Sequence, residues 1–379
     1  SFNDLDFNML GNNLLITVNG DKNKGVQINN FLNENDLYKI EYLKFSDGTS
    51  IYLPDLGLNM AYGATDDTIN GTYNDDTIIA GNGNDTVNAG DGNDSIYGGK
   101  GNDALNGGNG RDSYYYNLGD GYDTITETRG NDKIIFGEGI SINNLSFRQD
   151  GSNLDILINN DVSQGVTVKD FYSGTNYQVE TLQFADGSTF NLSTQGLTLQ
   201  QTNADDTVNG TSYNDVIYGN GGHDTINAGD GNDTIVGGIG NDILNGGNGD
   251  DTYIYNLGDG FDTISETGGN DKIVFGKGIS QSDLSFEQIG NDLKISVNGK
   301  DDKGIQINNH FQNDASKVET IEFYDGSTLN ISNADQLIQA MNSFSVSNSA
   351  STDTLSNPTE DVSDMYSLAA SQDLTRKAI

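Results

Sequence analysis

Aspartate recurs at every ninth position of a Gly- and Asn-rich stretch, at Asp85, Asp94, Asp103 and Asp112. Two places after each aspartate stands a large apolar residue, the first of which is Val87. A carboxylate is a hard oxygen ligand, and glycines permit the positive φ angles and tight turns that expose backbone carbonyls. Regularly spaced carboxylates beside such turns therefore predict sites for a hard divalent cation.

Each nine-residue repeat divides into a six-residue turn and a three-residue strand whose apolar residue points inward. Two nine-residue repeats make one coil, so aspartates two repeats apart, such as Asp85 and Asp103, stack on the same edge of the coil. Rungs of a parallel sheet lie ~4.8 Å apart, and at an effective dielectric of ~20 each stacked pair repels by ~3 kcal/mol. The ion-free coil is therefore not expected to fold.

Calcium between the rungs reverses the sign of this interaction. It takes ~6–8 oxygen ligands and accepts peptide carbonyls as readily as carboxylates, whereas magnesium demands stricter octahedral geometry and keeps its waters. Two stacked turns supply two carboxylates and several carbonyls. The sequence thus predicts Ca²⁺, with several ions in each stack.

The nine-residue register extends through two copies of a longer repeat, because the segment from Asp66 recurs 139 residues later from Asp205. Every aspartate slot is followed two places later by Ile, Val, Leu or Tyr, a spacing that disorder has no reason to maintain. The candidate metal-ligating aspartates are Asp67, Asp76, Asp85, Asp94, Asp103, Asp112, Asp123, Asp132, Asp206, Asp215, Asp224, Asp233, Asp242, Asp251, Asp262 and Asp271.

The pattern Gly-Gly-x-Gly-x-Asp-x-U-x, where U is a large apolar residue, resembles the haemolysin-type calcium-binding repeats of the RTX family of bacterial secreted proteins. The resemblance covers residues 62–135 and 201–274 directly. It implies that two repeats hold each ion. The first repeat supplies its Asp and the carbonyls at turn positions two and four, and the repeat two later supplies its Asp and the carbonyls at positions one and three. The implied carbonyl ligands are Gly81, Gly83, Gly90, Gly92, Gly98, Lys100, Gly107, Asn109, Asn220, Gly222, Gly229, Gly231, Gly237, Ile239, Gly246 and Asn248. The candidate site also includes the turn residues Gly99, Gly101, Gly238 and Gly240.

The turns at the roll ends depart from the consensus. Thr72 and Asn74, with Thr211 and Tyr213 in the second copy, stand where Gly is usual, and an insertion at Tyr116–Asn117 interrupts the coil. Some sites built from the roll-end aspartates are therefore expected to bind weakly or not at all. These aspartates are Asp67, Asp76, Asp123, Asp132 and their counterparts.

The segments between the nonapeptide blocks alternate apolar and polar residues and contain Asp-Gly turns, as in ADGS and YDGS. The predicted fold is all-β, with two calcium-loaded parallel β-rolls of the right-handed β-helix type that are separated and capped by antiparallel β-hairpin spacers. A mostly flexible C-terminal tail contains a short helix. The predicted domains are a partial hairpin spacer at 1–61, roll 1 at 62–135, a spacer at 136–200, roll 2 at 201–274, a spacer or cap at 275–332, and the tail at 333–379.

The composition excludes several partners. The chain has 56 acidic and 18 basic residues, and its formal net charge of −38 repels nucleic acid and anionic lipid surfaces. Such a charge also opposes compaction unless cations neutralise it. Because cysteine is absent, disulfides and thiolate metal sites are excluded, and no apolar run approaches the length of a transmembrane segment.

No residue is predicted to be catalytic, and this region is not expected to be an enzyme, although a catalytic domain upstream stays open. The only histidines, His223 and His310, are interpreted as ordinary surface residues, and HExxH and GxSxG motifs are absent. The YYYN and YIYN segments are interpreted as filling the apolar slot and closing the roll. The alternative is a sugar-stacking platform that uses Tyr115 or Tyr255.

The repeat pattern ends after Ile331, where Ser332 is a candidate helix cap before a Ser-rich segment and the terminal LTRKAI. In the RTX family an uncleaved C-terminal signal follows the repeats. The resemblance therefore implies that a type I ABC exporter and its membrane-fusion partner recognise the tail, and that the protein is secreted or held at the bacterial cell surface. The chain begins inside a repeat, without Met, and is expected to be the C-terminal part of a longer, toxin-like exoprotein.

Two functions stay open at this stage. The first is a calcium-binding module that folds outside the cell and supports secretion of the larger protein. The second is a cell-surface adhesin or S-layer-like module that uses the rolls as rigid spacers or glycan-binding surfaces, with a host-cell surface or a glycan as its partner.

Overall fold

The computed structural model describes residues 4–10, 13–19, 21–29, 42–53, 57–331 and 338. Most regular elements among these residues are β-strands, and short 3₁₀ turns lie between a few of them. They form two compact units. The first contains the described residues up to Thr202 together with Asp206–Gly219, and the second contains Asn203–Asp205 together with the described residues from Asn220 onward. The all-β prediction is confirmed.

The strands are short and regularly spaced along the chain, as the nine-residue repeat predicts. The first unit contains β1 Leu5–Leu10, β2 Asn13–Val18, β3 Asp21–Ile28, β4 Tyr42–Lys44, β5 Ser50–Tyr52, β6 Asn59–Ala61, β7 Thr68–Asn70, β8 Thr77–Asn82, β9 Thr86–Asp91, β10 Ser95–Lys100, β11 Ala104–Gly110, β12 Ser113–Tyr116, β13 Tyr122–Thr126, β14 Arg129–Gly130, β15 Lys133–Phe136, β16 Leu145–Asp150, β17 Asn153–Ile158, β18 Asp161–Val168, β19 Thr181–Gln183, β20 Thr189–Asn191, β21 Thr198–Gln200, β22 Thr207–Asn209 and β23 Val216–Tyr218. The second unit contains β24 Thr225–Asp230, β25 Thr234–Val236, β26 Ile243–Asn248, β27 Thr252–Tyr255, β28 Phe261–Ser265, β29 Lys272–Phe275, β30 Leu284–Ile289, β31 Asp292–Val297, β32 Lys300–Ile307, β33 Thr320–Phe323 and β34 Thr328–Asn330. The 3₁₀ turns lie at Ile142–Asn144, Phe171–Ser173, Thr175–Tyr177, Gln281–Asp283 and Asp314–Ser316.

Alternate strands pair in parallel and so build a coil. In the first unit β10 pairs in parallel with both β8 and β12. Ser95 of β10 lies opposite Thr77 of β8 and Ser113 of β12, so paired residues are two nonapeptides apart in the sequence. Strands β7, β9 and β11 form a second parallel row with the same interval. In the second unit Thr225 of β24 pairs with Ile243 of β26 in the same way. The prediction of two nonapeptides per coil is confirmed.

The insertion after β12 does not interrupt the coil, contrary to the sequence-based expectation. Ser113 of β12 pairs with Lys133 of β15, so the pairing continues although the interval between partners is longer by two residues. The Asn117 N–H donates a hydrogen bond to Asp120 Oδ2 at 2.7 Å, and the Asp120 N–H donates to the Asn117 carbonyl at 3.1 Å. The coil tolerates the insertion because these bonds hold the added residues in a local turn outside the strand pairing.

The residue two places after each aspartate slot forms the core of the roll. Ile78, Val87 and Ile96 are fully buried, and Ile235 and Ile273 hold the same position in the second unit. Burying one such side chain stabilises the fold by ~1.5–3 kcal/mol. The strands are therefore held together from inside by this apolar column, while the aspartates lie in the turns.

The spacers contain the predicted antiparallel strands, but they also continue the coil. Strands β16, β17 and β18 form an antiparallel meander. Strand β18 pairs in parallel with β13, and β19 pairs in parallel with β15. In the second unit β30, β31 and β32 form the same meander, β32 pairs with β28, and β33 pairs with β29. Each spacer thus extends the parallel rows of its roll and covers the open edge that the last coil would expose.

The predicted helix beginning at Ser332, the Ser-rich linker and the C-terminal secretion signal lie outside the described residues. Within the described part of the chain, no helix is long and apolar enough to cross a membrane.

Candidate metal centres in the turns

The turn aspartates of successive coils are linked in a ladder of hydrogen bonds. The Asp76 N–H donates to Asp94 Oδ1 at 2.7 Å, and the Asp94 N–H donates to Asp112 Oδ1 at 2.8 Å. The neighbouring ladder connects the Asp85 N–H to Asp103 Oδ1 at 2.8 Å. The structure therefore brings the predicted aspartates together at an interval of two nonapeptides, and the ladder uses one carboxylate oxygen of each.

In the interior turns, including those of Asp85, Asp94, Asp103 and Asp112, the second carboxylate oxygen is buried and lacks a hydrogen-bond donor. Leaving a buried carboxylate oxygen unpaired is costly unless a cation neutralises it. Buried carboxylate oxygens without a donor therefore mark turns that fit the predicted ion. Their positions support the binding of a hard cation at the interior turns of both rolls. Among the described residues, an Oδ2 atom of this kind is present at Asp85, Asp94, Asp103, Asp112, Asp132, Asp242, Asp251 and Asp271. Asp224 and Asp233 hold the equivalent slots and are equally buried, and their N–H groups donate to Asp242 Oδ1 and Asp251 Oδ1.

Glycine is required in these turns for two reasons. Gly99 and Gly101 have φ angles of 93° and 144°, a region that other residues rarely adopt. A Cβ on Gly101 would overlap the Gly83 carbonyl oxygen of the coil below. A Cβ on Gly98 would lie 2.5 Å from the unpartnered Asp103 Oδ2, in the space that an ion would need. Gly81, Gly83, Gly90, Gly92, Gly222, Gly229, Gly231 and Gly238 also have positive φ angles, while Gly107, Gly237, Gly240 and Gly246 lie beside the oxygens of the aspartate in their own turn.

Five of the implied carbonyl ligands also take part in the backbone ladder. The Lys100 carbonyl accepts the Gly83 N–H at 2.8 Å, and the Asn109 carbonyl accepts the Gly92 N–H at 2.9 Å. The carbonyls of Ile239 and Asn248 accept the Gly222 and Gly231 N–H groups in the second unit, and the Asn220 carbonyl accepts the Ile239 N–H. A carbonyl oxygen has two lone pairs, so these bonds leave one for an ion. The role of these carbonyls as ligands stays a prediction.

Burial of the turn aspartates favours their protonated form when no ion is bound. It raises the pKa of Asp94 to about 7 and the pKa of Asp103 and Asp112 to about 6. For Asp94 the carboxylates of Asp112 and Asp76 add to the effect. Protons therefore compete with the cation for these oxygens near neutral pH. At Asp123 and Asp262, which hold slots next to the insertion, burial raises the pKa to about 8.

At the start of each roll the protein itself satisfies the aspartate. Asp76 Oδ1 accepts the Leu58 N–H at 2.5 Å, while Oδ2 accepts the N–H and the hydroxyl of Thr72 at 2.6 and 3.0 Å. Thr211 makes the same bonds to Asp215 Oδ2. The threonines that replace turn glycines therefore take the oxygen that an ion would need. Asp206 accepts two bonds from Thr202 in a similar way, and Asp67 is only partly buried.

Two pairs of glutamates belong to these stacks although only aspartates were proposed as ligands. Glu180 Oε2 accepts the Asp132 N–H at 2.6 Å, as the next aspartate of the ladder would. Glu319 does the same for Asp271 at 2.8 Å. The signal was in the sequence, because Leu182 and Ile321 follow these glutamates at the spacing of the aspartate slots.

The second pair, Glu127 and Glu266, lies inside the last turn of each roll. One carboxylate oxygen from each of Asp112, Glu127 and Asp132 lies within 4.8 Å of the other two. Burial and the neighbouring Asp132 carboxylate raise the pKa of Glu127 to about 9. Burial, with a smaller contribution from the Asp271 carboxylate, raises that of Glu266 to about 9. The structure makes Asp132 one of three buried carboxylates, and the expected weak binding at this roll-end position stays a prediction.

The Asn-rich composition has a separate structural role. The Asn102 N–H donates to Asn84 Oδ1 at 2.8 Å, and the Tyr122 N–H donates to Asn102 Oδ1 at 3.0 Å. His223 replaces the asparagine in the second unit, where its exposed ring accepts the Asn241 N–H at 2.9 Å. This ladder of side chains, one place before each aspartate, ties successive turns together and was not predicted.

One histidine differs from its sequence-based interpretation, and one alternative interpretation of a tyrosine is removed. His310 is fully buried and packs edge-on against Phe311, so the interpretation as a surface residue is wrong. Tyr255 is 2% exposed and donates to the Gly260 carbonyl at 2.6 Å, which removes it as a sugar-stacking surface. Tyr114 and Tyr253 fill the apolar slot, as interpreted.

With the turn geometry established, comparison with known families identifies the repeats. The RTX calcium-binding nonapeptide repeat matches residues 62–95, 79–114, 88–125, 201–235 and 228–264. The chain is an RTX calcium-binding repeat protein. The haemolysin-type calcium binding protein related domain matches residues 13–52, 153–194 and 292–333, so it covers the spacers. Calcium binding by the repeats is thus shown both by family and by the acidic turns that fit the ion.

Comparison with curated protein sequences finds no match. Among solved structures, the crystal structure of the extracellular lipase LipA from Serratia marcescens is similar at 24% identity, over 59% of this chain and 37% of the lipase chain, with a TM-score of 0.24. This RTX chain therefore corresponds to well under half of the lipase's length.

Proposed function

We propose that this chain is the calcium-gated folding module of a larger bacterial exoprotein, and that it supports export through a type I ABC exporter and its membrane-fusion partner. The observation that carries the proposal is the stack of buried Oδ2 atoms without donors, as at Asp85 and Asp103. Such a stack opposes folding until cations occupy it. The RTX repeats supply the identity of the ion.

The gate follows from mass action. Calcium is scarce in the cytosol and abundant outside the cell, so the roll is unliganded before export and liganded afterwards. Binding stabilises the fold by RT ln(1 + [L]/Kd) per independent site, which is ~1.4 kcal/mol for a Kd near ~10⁻⁴ M at millimolar calcium. Several coupled sites together exceed the repulsion between stacked carboxylates. The chain therefore crosses the exporter unfolded, and folding outside prevents it from slipping back.

The proposal assigns a role to each part of the chain. The rolls at 62–135 and 201–274 bind calcium, the flanking spacers close them, and residues 333–379 carry the signal that the exporter recognises. The mature protein is placed outside the cell or at the bacterial surface. No catalytic role is proposed for this region.

Export of the chain with its own tail tests this function directly. We expect fast secretion into medium that contains millimolar calcium, slower secretion into chelated medium, and no secretion after deletion of residues 343–379. A variant with Asp94→Asn and Asp233→Asn should lose part of the calcium effect, whereas Asp186→Asn, in an exposed spacer turn, should keep it. A secretion rate independent of external calcium, with normal folding afterwards, would remove the gate and leave calcium binding intact.

One observation favours glycan binding as a second candidate function. The rings of Tyr97 and Tyr115 stack with centroids 4.0 Å apart and an interplanar angle of 7°, and both side chains are partly exposed. Aromatic faces of this kind bind sugar rings by stacking. Saturable binding to a glycan array that Tyr115→Ala abolishes and Tyr73→Ala leaves unchanged would support an adhesin. Equal binding by both variants would contradict it.

A further inference from the structure

At the end of the first roll a glutamate side chain enters the last aspartate turn. Glu127 holds the first turn position of its nonapeptide, where the interior turns have Ala or Gly. Its side chain is 1% exposed, and its carboxylate lies within 4.8 Å of those of Asp112 and Asp132. Because Ala or Gly at this position has no polar side chain, the interior turns lack a third carboxylate. The roll end therefore has a donor set of its own.

A tyrosine in the core fixes the orientation of this glutamate. The Tyr114 hydroxyl accepts the Gly107 N–H at 2.7 Å and donates to Glu127 Oε1. Oδ1 of Asp112 and Oδ1 of Asp132 are used by the aspartate ladder, at 2.8 Å each. Their Oδ2 atoms are buried, and no donor reaches them. Two members of the cluster, each 1% exposed, thus carry a buried oxygen without a hydrogen-bond partner.

The second roll repeats the arrangement from different residues. Glu266 is 5% exposed and accepts a hydrogen bond from the Tyr253 hydroxyl. Its carboxylate lies within 4.8 Å of those of Asp251 and Asp271, whose Oδ2 atoms are unpartnered. Among the described residues, no Lys or Arg forms an ion pair with a member of either cluster. Each cluster therefore concentrates three buried acidic groups without an internal counter-charge.

We propose that each cluster is a calcium site with three carboxylate ligands, and that these two sites bind calcium more tightly than the two-carboxylate turns of the roll interior and fill first. Calcium affinity in oxygen cages depends on the number of charged ligands and on their rigidity. The glutamate adds the charge, and the tyrosine supplies the rigidity by holding one glutamate oxygen. The inference rests on the calcium-dependent folding proposed above and adds an order in which the sites fill.

Removal of the third carboxylate tests the proposal. In the double variant Glu127→Gln and Glu266→Gln, the amide keeps the size of the side chain and loses its charge. Calcium titration of the full chain against a chromophoric chelator should show that the two tightest ions bind about tenfold or more weakly, while the remaining ions bind as before. The matched control is Glu138→Gln with Glu287→Gln, two exposed glutamates, which should behave as wild type. Unchanged affinity in the first double variant would overturn the inference.

A second measurement keeps the test decisive if that variant does not fold. Tb³⁺ replaces calcium in oxygen cages, and its emission is sensitised by a nearby tyrosine. The first two equivalents of Tb³⁺ should give tyrosine-sensitised emission in the wild type, and Tyr114→Phe with Tyr253→Phe should remove most of it. Emission that survives both substitutions would overturn the proposal. A wild-type chain that binds no calcium would instead refute the proposed function, so the two failures are distinguishable.

Discussion

The substitution Asp94→Asn tests how much of the calcium dependence resides in one carboxylate. Asp94 Oδ1 accepts the Asp76 N–H, while Oδ2 is buried without a donor. Asparagine keeps an oxygen for this N–H and replaces the charged oxygen with an amide nitrogen. The substitution therefore removes a metal ligand and a repulsive charge in one step, with little change of shape.

The substitution should stabilise the roll in chelator, where a repulsive charge is lost, and destabilise it in calcium, where a metal ligand is lost. Asp94 stacks on Asp112 one coil away, and carboxylates ~4.8 Å apart repel by ~3 kcal/mol at an effective dielectric of ~20. The pKa of Asp94 is about 7, so at about pH 8 this repulsion is expressed in the ion-free roll. Removing it should favour folding in chelator by up to ~3 kcal/mol. At about 1 mM calcium, losing an ion with a Kd near ~10⁻⁴ M should cost ~1.4 kcal/mol.

Far-UV circular dichroism at about pH 8 measures both the gain in stability in chelator and the loss of stability in calcium. The Asp94→Asn variant should have more residual β-structure than wild type in chelator and a lower free energy of urea unfolding in calcium. The matched control is Asp76→Asn, because both Asp76 oxygens already accept hydrogen bonds. That control should be destabilised with its calcium stoichiometry unchanged. An Asp94→Asn variant destabilised equally with and without calcium would refute the reasoning.

Two further predictions concern pH and the turn backbone. Because the folded-state pKa values of Asp94 and Asp123 are raised to about 7 and about 8, the ion-free roll binds more protons than the unfolded chain between about pH 4 and pH 8. Its stability should therefore fall as the pH rises through this range, and calcium binding at about pH 7 should release protons that a pH indicator in weak buffer detects; β-structure in chelator that increases with pH would contradict this sign. Gly101→Ala should destabilise the calcium-loaded roll by more than ~2 kcal/mol, because the added Cβ overlaps the Gly83 carbonyl, whereas Gly151→Ala, in an open turn at φ 59°, should cost ~1 kcal/mol. Equal unfolding midpoints in urea would show that the turns are not stacked as closely as described.

The coil itself could be predicted because a single period specifies it. The nine-residue spacing places Ile78 and Ile96 in one buried column and the aspartates in one turn stack, and no tertiary information is needed to see this. The continuation through the insertion was not predictable from the period. It depends on Asn117 and Asp120 closing a local turn, a contact that the spacing does not encode.

The composition of the sites was predictable only in part. Aspartates at the consensus positions point to metal ligands, but the sequence pattern does not say which of their oxygens the backbone already uses. At Asp76 the Thr72 hydroxyl decides this, and at Asp132 the decisive contact is the carboxylate of Glu127, whose place in the turn is fixed by the buried Tyr114 hydroxyl. These side-chain contacts depend on tertiary packing. A repeat consensus gives only the common residue type at each position and contains no information about such contacts.

Calcium titration of the full chain, followed by far-UV circular dichroism, tests the central claim most directly. The claim is that cations at the stacked aspartates make the rolls fold. It predicts little regular structure in chelator, a cooperative change to a β-rich spectrum by millimolar calcium, and only a weak response to the same concentration of magnesium. A β-rich spectrum that chelator leaves unchanged would contradict it.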